Sequence, residues 1–105
     1  MCVKVYSNSD VLKIIGFIPP SHRHMRLAIF FKDQTIVLQE ATVAAIARTY
    51  LNIVAHPTKK AVECIQMKVD NRKPGYAEFQ LIESSRSEEE IMKDVTTILK
   101  DVFDA

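Results

Sequence analysis

RLAIFFKDQTIVLQ, Arg26 to Gln39, decides the fold class. Leu27–Phe31 and Thr35–Gln39 are runs of β-branched, aromatic and other apolar residues, separated by the polar Lys32-Asp33-Gln34. Two such runs around so short a polar break predict an antiparallel hairpin. Both runs are nearly continuous in apolar residues, which predicts strands covered on both faces or central in a sheet.

Downstream, Ala41–His56 is alanine-rich and ends at Pro57, which cannot continue a helix. Val43, Ala47, Tyr50 and Val54 form one stripe at helical spacing, and Ile46 and Ile53 fall on another. Arg48 is the one charged residue within it. A helix apolar nearly all round is covered on two sides. In a domain this small the sheet covers one side, so the other meets another helix or another molecule. With Val43, Ala47, Tyr50 and Val54 assigned to the sheet, the far side is Ala44, Arg48, Leu51, Asn52 and Ala55. There the small Ala44 and Ala55 would let a second helix approach, with Leu51 as its anchor.

A second hairpin follows. Ala61–Val69 alternates, with Ile65, Met67 and Val69 on one face and Cys64, Gln66 and Lys68 on the other. Ala77–Glu83 places Phe79 and Leu81 opposite Glu78 and Gln80, and the intervening Asp70–Gly75 is rich in turn-formers. Such alternation predicts a pair with one wet face. Ser87 and Glu90 then fit a capping box, and Glu88-Glu89-Glu90 suits the positive end of a helix dipole. Ile91, Val95, Ile98, Leu99 and Val102 continue as an amphipathic stripe, flanked by Met92 and Phe103.

Upstream the pattern is ambiguous. Ser7–Asp10 offers helix caps and Gly16 a C-cap, yet Val11–Ile18 is equally a strand; periodicity does not separate the two in so short a run. The order is hairpin–helix–hairpin–helix. It predicts a single α+β domain over residues 1–105, a two-layer sandwich in which helices cover one face of one antiparallel sheet of four or five strands. Over roughly Arg26–Phe103 this order resembles that of roadblock-type dimerisation domains, in architecture alone. The pattern lacks their final strand and full first helix, so no site is carried over from them.

The chain has 105 residues, 48% hydrophobic, with 14 Lys/Arg against 13 Asp/Glu. That is enough for one core, and too apolar and too nearly neutral for a disordered chain. No apolar run reaches the roughly 18 to 20 residues of a membrane span, so a cytoplasmic protein without a membrane partner is expected. The near-neutral total hides a split: residues 1–60 carry eight basic and three acidic residues, residues 61–105 six and ten. Such an asymmetry can steer two copies together, or one basic face onto an acidic partner.

Two glycines cannot supply a phosphate loop, a dinucleotide fingerprint or a nucleophile elbow, so no cofactor is expected. Cys2 and Cys64 are too few for a zinc framework, and sequence does not decide whether they pair. The densest polar segment is Ser21–Arg26. His22, Arg23, His24 and Arg26, with Arg72 and Lys73 on the second hairpin loop, form a candidate phosphate-binding set for a nucleic acid. His22, His24 and His56 would make an incomplete metal set, and none is assigned. Glu63 is the odd acid of its strand. The functional expectation is a homodimer, or a larger homo-oligomer, acting as a non-enzymatic adaptor or regulatory domain through Ala44–Ala55; a nucleic-acid-binding protein is the alternative.

Overall fold

The hairpin forms as its residues dictate. In a computed structural model describing residues 3–70 and 78–103, β2 (Arg26–Phe31) and β3 (Thr35–Gln39) pair antiparallel, Leu27 opposite Leu38 and Ile29 opposite Ile36. Phe31 N–H closes the turn on the Gln34 carbonyl at 2.8 Å. Tyr6 stacks on Phe31 with ring centroids 3.8 Å apart, and its hydroxyl donates to Asp33, tying the N-terminal segment to the turn.

The ambiguous segment is a strand. β1 (Val11–Phe17) pairs antiparallel with β2, giving a three-stranded sheet in the order β1-β2-β3. Gly16 lies opposite Leu27 within β1 and caps no helix. The polar cluster before it makes only a single 3-10 turn, Asn8–Asp10, held by the Ser7 N–H on Asp10 Oδ2 at 2.9 Å. An apolar run that fits both periods takes whichever conformation finds a partner, and β2 supplies a strand edge.

α1 spans Glu40–Val54, two residues short of the predicted end. The Ala55 N–H bonds the Leu51 carbonyl at 2.9 Å, and His56 Nδ1 donates to the Asn52 carbonyl at 2.9 Å, satisfying the helix end before Pro57. β4 (Cys64–Lys68) and β5 (Phe79–Glu83) form a separate two-stranded antiparallel sheet. This corrects the expected single sheet of four or five strands: the described residues are α+β with antiparallel sheets of three and two strands. Alternation shows which residues share a face of a hairpin, but it carries no record of which strand edges join. The turn residues Asn71–Gly75, Arg72 and Lys73 among them, lie outside the described residues.

α2 (Glu88–Phe103) starts on the predicted capping box, with the Glu90 N–H on Ser87 Oγ at 3.2 Å and the Ser87 N–H on Glu90 Oε1 at 3.3 Å. Ile91 is buried and Val95 and Ile98 half-buried, as the stripe requires. The side chains of Leu99, Val102 and Phe103 lie outside the described set.

The core is thin. Among the described residues only Ala28, Ala45, Ala61 and Ile91 are buried, and no large side chain is fully enclosed. The accessible surface is 8414 Å², whereas a compact folded monomer of this mass exposes about 6,000 Å². The radius of gyration, 16.1 Å, exceeds the roughly 13 Å of a compact 105-residue domain.

Candidate functional site

Small side chains set how α1 lies. It packs against β2, β3 and β5 with Ala45 buried and Thr42, Thr49 and Ile53 half-buried. Thr49 Oγ1 donates back to the Ala45 carbonyl at 2.8 Å and lies 3.6 Å from Cys64 Sγ, so the helix approaches β4 through a threonine and an alanine. Close approach selects the small face, and the larger apolar residues turn outward. This corrects the expected inward stripe: Ala47, Tyr50 and Val54 are exposed, and Val43 is half-buried.

The outer face therefore holds more than was expected of it. Ile46, Tyr50, Leu51 and Val54 are 52–64% exposed, alongside Ala47 and Ala55. Of the predicted interface residues, Arg48, Leu51 and Ala55 are exposed, whereas Ala44 and Asn52 are half-buried. Arg48 donates through Nη2 to the Leu81 carbonyl at 3.1 Å, so the one basic side chain of the helix is tied at its border with β5. Between α1 and the β4–β5 hairpin lies an open, apolar cleft of about 430 Å³ whose lining includes Ile46, Thr49, Tyr50, Cys64 and Leu81, so Ile46 and Tyr50 border the hairpin as well as solvent. Cys64 is a half-buried free thiol there, and Cys2 lies outside the described residues. On the far side of that hairpin Ile65, Met67 and Ile82 are exposed, so the face turned to α1 is that of Cys64 and Leu81.

The histidine–arginine segment is partly consumed by the fold. His24 Nδ1 donates to Glu40 Oε2 at 2.7 Å, and the Met25 N–H reaches Glu40 Oε1 at 3.3 Å. Arg26 Nη1 donates to the His24 and Met25 carbonyls, each at 3.2 Å. The β1–β2 loop is thereby strapped to the first residue of α1. His22 and Arg23 are exposed beside Ser21, whose φ of 68° is unusual for a residue with a Cβ. The three histidines are not brought together. His24 sits at the start of α1 and His56 just past its end, about 20 Å apart along a helix of this length. No group of three metal-ligating side chains occurs among the described residues.

Set against known protein families, curated proteins and solved structures, the chain matches none. Its function is read from its own surface.

One cluster escaped the sequence. Arg86, just before α2, bonds Glu63 Oε2 at 3.0 Å and Asp94 Oδ2 at 2.7 Å, and its Nη2 donates to the Glu90 carbonyl at 3.0 Å. The bond to Asp94 raises the guanidinium pKa above its ordinary value and lowers that of the Asp94 carboxyl. The odd acid of β4's approach is thus one end of a clamp that joins the second sheet to α2. Its partners stand 23 residues before and 8 residues after Arg86, so no local pattern announces it.

Glu40 is likewise held below the ordinary carboxylate range, first by the His24 bond and then by the Met25 N–H; Asp10 is held down by its Ser7 bonds. A carboxyl whose folded pKa is depressed stabilises the fold above its unfolded value and loses that contribution as pH falls through the folded one. Thermal stability should therefore decline once pH drops below about 4, where free carboxyls begin to protonate. Glu40→Gln should flatten that decline in melts compared between pH 7 and pH 3. An unchanged acid profile in the variant would show that the Glu40 strap contributes nothing to it.

Proposed function

We propose that the chain is a self-assembling, non-catalytic domain that works as an adaptor or regulatory subunit in the cytoplasm, with the outer face of α1 seated on a second copy. One observation carries this: four large apolar side chains on one helix face, more than half exposed, with the only nearby charge tied to a carbonyl. An uncovered face of that kind marks an interaction site. The uncovered surface is ample for a seam with a second copy. The chain exposes about 2,400 Å² more than a compact monomer would, and a standard interface removes about 800 Å² from each partner. The thin core is completed by another copy of the same faces. A two-fold contact brings Leu51 to Leu51 of the partner, and the small Ala47 and Ala55 leave room for close helix approach.

Static light scattering between low and high micromolar chain concentration tests this directly. The expected mass is a multiple of 12.0 kDa. A mass of one chain across the whole range removes the proposal.

A further inference from the structure

α2 is seated differently from the other elements. Close packing joins β1 to β2, β2 to β3, β4 to β5, and α1 to β2, β3 and β5, whereas among the described residues α2 makes no extensive contact with a strand or with α1. It meets residues 60–63, the irregular segment before β4. The Lys60 N–H donates to Glu88 Oε1 at 2.9 Å, and Arg86 Nη1 donates to Glu63 Oε2 at 3.0 Å. The other Arg86 bonds, to Asp94 Oδ2 and the Glu90 carbonyl, run to α2 itself, so they aim the guanidinium without tying the helix down. Ile91 is the one buried side chain of α2 among the described residues.

The same corner carries an opposing feature. Glu63 Oε1 and Ser84 Oγ are buried and have no hydrogen-bond partner among the described residues. The two residues face each other across the end of the β4–β5 hairpin, where the Ser84 N–H donates to the Glu63 carbonyl at 2.9 Å. A buried polar atom without a partner disfavours the state that buries it, and regains hydrogen bonds once water reaches it. The corner is thus held shut by one ion pair and one amide, and pushed open by two unpartnered oxygens.

We propose that α2 is a latched arm, which comes away as a unit about residues 84–85 when the Arg86–Glu63 and Lys60–Glu88 bonds part. Opening wets Glu63 Oε1 and Ser84 Oγ and uncovers Ile91, while the three-stranded sheet stays folded. Segments with few buried contacts open well below the free energy of global unfolding, and the elements that move in regulated proteins are drawn from them. Residues 84–87 have no regular structure, so a change of backbone angles there breaks no helix or ladder. Closed, the arm hides Ile91 and half-buries Val95 and Ile98; open, it presents that stripe. The switch does not depend on the α1 seam.

Amide exchange on the full chain, at one chain concentration, tests this. In the wild type the amides of α2 should exchange faster than those of β2 and β3. Arg86→Gln should speed exchange in α2 at least about tenfold, and Ser84→Ala should slow it about fivefold. The opposite signs are the signature, because removing a hydroxyl that served the closed fold would speed exchange. Three results overturn the proposal. They are α2 exchanging in step with β2 and β3, a folded Arg86→Gln variant with unaltered exchange, and a Ser84→Ala variant in which α2 exchanges no more slowly than in the wild type. If Arg86→Gln does not fold, the wild type and Ser84→Ala decide between the same outcomes.

Discussion

Replacing Leu51 with glutamate should yield a folded chain with half the wild-type mass. Leu51 is 59% exposed within one chain, so the carboxylate stays hydrated there, and the folding stability should change by no more than about 0.5 kcal/mol. In the assembly the same carboxylate would be buried among Tyr50, Val54 and Ala55 of two copies. An unpaired charge in such surroundings costs several kcal/mol. About 3 kcal/mol lost from the seam raises the dissociation constant more than a hundredfold. Circular dichroism and light scattering on one sample separate the outcomes. An unfolded variant would place Leu51 in a core internal to the chain, and a folded variant of unchanged mass would place the seam elsewhere.

Among the described residues, Ile91→Ala should bring the largest loss of stability of any conservative change. Ile91 is the only large apolar side chain among the buried described residues, and it lies one turn after the cap of α2. Large-to-small changes at such positions cost about 2–5 kcal/mol. Against a total of about 5–15 kcal/mol, that is a substantial share of the stability. At about 4–8 °C per kcal/mol the melting temperature should fall by at least 8 °C. Assembly makes melting concentration-dependent, so wild type and variant are compared at one chain concentration. Met92→Ala, one residue along on the exposed side of α2, should change it by far less. Equal losses at the two positions would show that α2 is not docked through Ile91.

The two substitutions probe features of different legibility. The Ser87–Glu90 cap and the Ile91 stripe were readable because all their parts lie within a few residues of each other, and α2 is polar on one side and apolar on the other. The same holds for the Leu27–Phe31 and Thr35–Gln39 hairpin, whose polar break leaves one way to turn. In α1 the stripe predicts the opposite orientation. Its residues are apolar or small at nearly every angle, so periodicity has no direction to report. The packing of Ala45 and Thr49 against Cys64 broke the tie and sent Tyr50 and Val54 outward. A rule that seats the smallest side chains where backbones come closest would have found this, had it outweighed the rule that seats the largest ones inside.

Alternation, helical stripe, cap and turn chemistry determined the kinds of element and their order, because each is a property of residues adjacent along the chain. Whether Val11–Phe17 became strand or helix, whether five strands made one sheet or two, which side of α1 faced water and where Glu63 found a cation were decided only in three dimensions. Each depends on a partner distant in sequence: β2 for β1, Cys64 for Thr49, Arg86 for Glu63. Local free energies at those positions are nearly balanced between alternatives, and a contact made across the chain settles the balance.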